Sequence, residues 1–139
     1  MLMQLTDYRL IDLFNASETD FNTYLMGFMI LALTDFPNCN QNLNDRDDTS
    51  QTFNFDLNQD NQNILSKLMI VHWLGKEVRD VLQMRLSITD RDFKHFAESN
   101  NLNAKQNSLN ILREETDQLL KTYGLRNTNW SAWASQNFI

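Results

Sequence analysis

Between Asn61 and Leu86 the chain reads NQNILSKLMIVHWLGKEVRDVLQMRL, and Ile64, Leu68, Val71, Leu74, Val78 and Val81 recur at spacings of three and four. That period marks one face of an α-helix. Leu65, Met69, Trp73 and Leu82 widen the stripe until the first four turns are apolar on most sides. A helix of this kind has to be covered from several directions, so it is predicted to be the centre of an all-α domain. The stretch is too short for a membrane span, and Lys76, Glu77, Arg79 and Asp80 make its second half too charged.

The same pattern predicts the flanking elements. Thr6 or Asp7 caps a short helix through Phe14, with Leu10, Leu13 and Phe14 on its apolar side. Ser17 is placed to cap the next helix by accepting an orphan backbone N–H, with Glu18 and Asp20 in the first turn, where the helix dipole favours negative charge. Phe21, Leu25, Phe28, Met29, Ala32, Leu33 and Phe36 follow at helical spacing, and Pro37 ends the run. Residues 38–57, CNQNLNDRDDTSQTFNFDLN, form a long polar connection whose Phe53, Phe55 and Leu57 alternate with polar residues. Its end is expected to pair briefly as a strand or to pin itself to the core. Loops of this length inside a compact domain usually carry function or mobility. Asn58 or Asp60 caps the central helix.

Thr89, followed by Asp90 and Asp92, starts another helix. Phe93, Phe96 and Ala97 mark one inner side; Leu102, Leu109, Leu112, Leu119 and Tyr123 mark a second, about half a turn out of phase. Either the helix breaks near Ser99–Asn101, or one long helix packs different faces at its two ends; the second is preferred, with Gly124 closing the helix. The last fifteen residues, LRNTNWSAWASQNFI, place Trp130, Trp133 and Phe138 where a terminus is normally polar. The expected organisation is a helical domain over residues 1–124 and an aromatic tail over 125–139. The fold class is a small all-α bundle of four to five helices, with a long acidic loop and an extended C-terminal tail.

Composition supports this reading. A chain of 139 residues is one domain, and three Gly with one Pro offer too little punctuation for a turn-rich β fold. The single Cys39 excludes an intramolecular disulfide. The start, MLMQLTDYRL, lacks the basic segment of a signal peptide. Asn and Gln make up 27 of the 139 residues but are spread along the chain, which reads as a codon bias rather than a prion-like tract. From Asp35 to Asp60, six Asp (35, 45, 47, 48, 56, 60) against Arg46 give that segment −5 of the net −6. No basic stripe is left to release counterions from nucleic acid.

Chemistry-bearing residues are sparse. Asp45, Asp47, Thr49 and Asp56 superficially space oxygens like a calcium loop, but Ser50 and Asp56 stand where such a loop needs Gly and a bidentate Glu. His72 and His95 have no His or Cys three or four residues away. His72, beside Trp73, reads as a boundary histidine, and Cys39 as a packed thiol. Glu77 and Asp80, flanked by Lys76 and Arg79, read as surface ion pairing rather than an acid/base dyad. With no phosphate loop, HExxH or GxSxG, no enzymatic activity, cofactor or metal is expected.

From the acidic, Asn-rich loop through FDLNQDNQNILSKLMIVHWL and TDRDFKHFAESNNL to the charged helix ending in LLKTYG, the order of features resembles the head–tail connector (adaptor or neck) proteins of tailed bacteriophages. The resemblance spans Asp35 to Tyr123. It implies a virion protein, assembled in the host cytoplasm, that forms a homo-oligomeric ring, commonly twelvefold, beneath the portal protein and joins it to the next neck or tail protein. DNA would pass through the channel without specific binding, and no membrane is involved. The tail residues Trp130, Trp133 and Phe138 would anchor on the portal or a neighbouring subunit. The loop, through Asp45, Asp47, Asp48, Phe53 and Phe55, would meet a neighbouring subunit or ring. The alternatives are a small helical phage-encoded regulator of a host or packaging factor, and an accessory that touches nucleic acid.

Overall fold

The computed structural model describes residues 8–137, with side-chain environments from Ile11 onward. Thr6, Asp7 and Phe138 therefore lie outside the described residues, as does the side chain of Leu10. Among the described residues six α-helices succeed one another: α1 (Tyr8–Ala16), α2 (Glu18–Thr34), α3 (Gln59–Gln83), α4 (Asp90–Ser99), α5 (Leu102–Arg126) and α6 (Trp130–Asn137). The fold is all-α, with a small sheet of two two-residue strands in the long loop.

The central position of α3 follows from its apolar breadth. Helix α2 packs along one side of it and α5 along another, while α1 rests on α2 and α4 on α5. Ile64, Leu65, Leu68, Met69, Trp73, Leu74, Val78 and Val81 are all buried, and Phe21, Phe28, Ala32 and Phe36 meet them from the α2 side. Of the predicted stripe, Val71 is only partly buried and Leu82 is 38% exposed. The chain winds there into a 3₁₀ turn, Met84–Leu86, and leaves the bundle. No helix among the described residues is long and apolar enough to cross a membrane.

Helix α5 buries Leu102, Leu109, Thr116 and Tyr123, a strict seven-residue repeat. Such a repeat keeps one seam facing a neighbouring helix. Thr116 occupies it without an orphan hydroxyl, because its Oγ1 donates to Leu112 O at 2.6 Å. Lys105 reaches Glu77 of α3 across the same interface at 3.6 Å. Glu77 is 7% exposed, which corrects its assignment to surface pairing; Lys76 and Asp80 do pair on the surface.

The preferred single helix over 90–123 is not formed. Asn101 adopts the left-handed conformation, φ 52° and ψ 45°, and separates α4 from α5. Asparagine tolerates that region better than most residues. The break resolves the phase conflict: Phe93 and Leu102 each reach the core from their own helix. Gly124 does not close α5, which continues to Arg126 and ends on Asn127, whose Nδ2 donates to Tyr123 O at 2.9 Å.

Ser17 caps α2 and Asn58 caps α3, their side chains accepting from Asp20 N and Asn61 N. Thr89 caps α4 in the same way. Helix α2 ends at Thr34, ahead of Pro37. His72 Nε2 lies 2.5 Å from Asp35 Oδ2, tying the end of α2 to the middle of α3 at a half-exposed boundary.

Candidate functional site

Three features stand out: the tail, the acidic loop, and the groove between the loop and the helices. The tail is helical rather than extended. Asn129 opens α6, its Oδ1 accepting from Ala132 N at 3.0 Å. Helix α6 has no buried residue and, among the described residues, no extensive interface with another helix. Trp130 and Trp133 are 51% and 46% exposed. Their rings meet edge to face at 5.9 Å, and Trp130 Nε1 donates to Leu125 O at 3.2 Å. Leu125, 58% exposed, enlarges the same apolar surface.

The acidic loop is more ordered than a bare polar connection. Strand β1 (Arg46–Asp47) pairs antiparallel with β2 (Thr52–Phe53), Arg46 opposite Phe53 and Asp47 opposite Thr52. The aspartates organise it locally. Asp45 Oδ1 accepts from Asn54 Nδ2 at 2.8 Å, Arg46 Nε donates to Asp48 Oδ1 at 2.8 Å, and Asp47 Oδ1 accepts from the amides of Thr49 and Ser50. Those bonds, that from the Thr49 amide foremost, hold the Asp47 carboxyl below its ordinary 3.8. A depressed carboxylate contributes stability above its unfolded pKa and loses it as pH falls through the folded value. Replacing Asp47 by alanine is expected to speed hydrogen exchange at the Thr49 and Ser50 amides, while the global melting temperature stays put. An unchanged exchange rate at both amides would contradict this account of the turn. Phe53 and Phe55 are half-buried, their centroids 5.5 Å apart.

A polar clamp joins the start of this loop to the bundle. Tyr123, 2% exposed, lies edge-on to Phe36 at 5.0 Å. Its hydroxyl accepts from Asn40 N at 2.8 Å. Asn61, fully buried, donates from Nδ2 to Asn40 Oδ1 at 2.9 Å and to Gln41 Oε1 at 2.8 Å. These two acceptors set the orientation of its amide and leave Asn61 Oδ1 without a hydrogen-bond partner. Gln41 Oε1 also accepts from Asn58 N, and its Nε2 donates to Asp56 O. Burial pushes the Tyr123 hydroxyl above its ordinary 10.0.

No family model, curated protein or solved structure matches the chain. Its functional reading therefore rests on its own residues and geometry.

Between α2, the hairpin and the first turns of α3 lies an open groove of about 940 Å³. Its floor is apolar and flexible: Phe21, Leu25, Met26, Met29, Phe53 and Met69. The helical periodicity of α2 accounts for Phe21, Phe28 and Ala32 in the core, but not for Met26. The signal for the groove was the near-continuous apolar run from Tyr24 to Leu33, which exceeds what one core-facing stripe needs. The tail and the groove are separate features. Among the described residues, no group of three His, Cys, Asp or Glu side chains is arranged to hold a metal ion.

Proposed function

We propose that this chain is a non-enzymatic structural subunit of a phage neck, a head–tail connector that forms a ring beneath the portal, with α6 as its portal-side anchor. The observation that carries the reading is the tail helix itself, which presents Trp130 and Trp133 half-exposed and contains no fully buried residue. Tryptophan concentrates interface energy more than other residues do, and a short helix with two half-exposed tryptophans suits a socket elsewhere. The order of elements resembling connector proteins supports the same assignment. The loop, whose residues 38–57 carry four Asp against Arg46, suits a wall near a DNA channel, because like charge lets the polymer slide rather than adhere. Head-to-tail contacts between identical subunits close into a ring when their rotation closes.

The test is assembly on the cognate portal protein, followed by electron microscopy and sedimentation. The full chain is expected to add a ring of subunits to the portal. A chain lacking residues 130–139 is expected to keep its helical circular dichroism and its melting temperature, yet fail to assemble. Normal assembly without the tail refutes the anchor, and indifference of the full chain to the portal refutes the connector reading.

A further inference from the structure

The geometry points to a latch at the root of the acidic loop: Asn40 ties the loop to the last turn of α5, from which α6 hangs, so that displacement of α6 is passed to the loop. Asn40 meets three partners at once. Its amide donates to the Tyr123 hydroxyl at 2.8 Å, its Nδ2 donates to Asn127 Oδ1 at 3.3 Å, and its Oδ1 accepts from Asn61 Nδ2 at 2.9 Å. The next residue, Gln41, staples the two ends of the loop together. Its Oε1 accepts from Asn58 N at 2.9 Å and its Nε2 donates to Asp56 O at 3.0 Å. The segment between them hangs from this one knot, while the hairpin inside it is held by its own bonds, among them Asn54 N to Asp45 O at 3.1 Å.

The other half of the latch lies on the tail side. Asn127 ends α5, and its side chain faces both ways, Nδ2 donating to Tyr123 O while Oδ1 accepts from Asn40. Residues 127–129 are all that separates α5 from α6. Helix α6 is braced against the same turn by Thr128 Oγ1, which donates to Gly124 O at 2.7 Å, and by Trp130 Nε1, which donates to Leu125 O at 3.2 Å. Re-aiming α6 therefore turns the backbone that carries the Asn127 side chain. The parts of the knot differ in depth. Tyr123 and Asn61 are buried, whereas Asn40, Asn127 and the neighbouring Arg126–Asp60 pair, 3.6 Å apart, are exposed. Exposed polar contacts open locally at far less free energy than global unfolding requires. The latch thus releases while the core stays shut, and the hairpin moves as a body about its root. That seating α6 re-sets the loop during assembly rests on the reading of α6 as an anchor; the latch itself does not.

Amide hydrogen exchange on the full chain, read residue by residue by NMR, tests the latch without any partner. Asn127→Ala should speed exchange at the Asn40 amide, and through Gln41 at Asn58, by about two- to tenfold, the factor that one net hydrogen bond corresponds to. Asn127→Asp keeps an acceptor for Asn40 Nδ2 and should restore the wild-type rate at both amides. The Thr49 and Asn54 amides, inside the hairpin, should exchange alike in all three chains. Removing residues 130–139 takes away the Trp130 brace and should speed Asn40 exchange while the melting temperature holds. An unchanged Asn40 rate in Asn127→Ala overturns the latch. Equal acceleration in the alanine and aspartate variants also overturns it, by reducing the effect to fraying of α5. Acceleration confined to Asn40 shows that the loop root does not follow, and an unchanged rate after removal of the tail breaks the link to α6; either result defeats the proposal. All of these outcomes are read in the free chain, so they are distinct from failure on the portal, which removes the connector reading alone.

Discussion

Replacing Tyr123 by alanine is expected to lower the unfolding free energy by about 3–5 kcal/mol, the range for deleting a buried aromatic ring. A shifted urea midpoint with an unchanged slope would measure it. The ring is 2% exposed and lies edge-on to Phe36, so its loss opens a cavity where α5, α3 and the end of α2 converge. The hydroxyl adds a second contribution. It accepts from Asn40 N, and phenylalanine at this position leaves a partly buried donor unsatisfied, at about 1–3 kcal/mol. Tyr123→Phe therefore separates the clamp from the packing. It also changes the alkaline limb of stability. Burial raises the Tyr123 pKa above 10.0, and a group raised on folding contributes stability that is full below its unfolded pKa and is lost as pH rises through the folded value. The wild type should thus lose stability above pH 10 more steeply than Tyr123→Phe. Lys76, raised chiefly by its hydrogen bond to Asp80, acts in the same direction and leaves a residual slope in the variant. Identical alkaline profiles would rule out the buried hydroxyl as a contributor.

The three tryptophans are expected to divide sharply. Trp73→Ala should cost about 3–5 kcal/mol, because Trp73 is 8% exposed at the centre of α3 and sits in the main core. Trp130→Ala and Trp133→Ala should each stay within about 0.5 kcal/mol, as surface substitutions do. Fluorescence offers an independent check. Loss of Trp73 should remove the blue-shifted component of the emission, whereas loss of the tail pair should remove the red-shifted one. A large destabilisation from either tail substitution would mean that α6 is held by its own bundle, and the anchor proposal would fail with it.

Much of this fold was legible in the residue pattern. The apolar breadth around Ile64–Val81 marked α3 as the element to be surrounded, and Ser17, Asn58 and Thr89 marked three helix starts by side-chain chemistry that acts within three residues. The two out-of-phase stripes of α4 and α5 were equally visible. Their resolution was not, because a chain can bend one helix or break it, and the choice depends on whether Asn101 can take a left-handed conformation between two packed neighbours. Glu77 was misread for a related reason. Its flanking charges Lys76, Arg79 and Asp80 describe α3 as an isolated cylinder, and only the approach of α5 with Lys105 makes that side an interior one.

The candidate surfaces divide in the same way. Trp130 and Trp133 were conspicuous because three aromatics near a terminus are unusual in any fold. The clamp of Asn40, Gln41, Asn61 and Tyr123 was invisible, since its partners lie up to 83 positions apart and amide side chains carry no pattern of their own in a chain rich in them. The groove was half visible, as an excess of apolar residues on α2 without a stated place for them.

The sequence by itself determined the all-α class, the central helix and most helix starts, because hydrophobic period and capping are short-range properties. Only the tertiary structure decided which glutamate is interior, where the α4–α5 chain breaks, and that α2 shares a groove with the hairpin. Each of those depends on which faces meet across space, and the free energy of burial belongs to the pair of surfaces rather than to either segment alone.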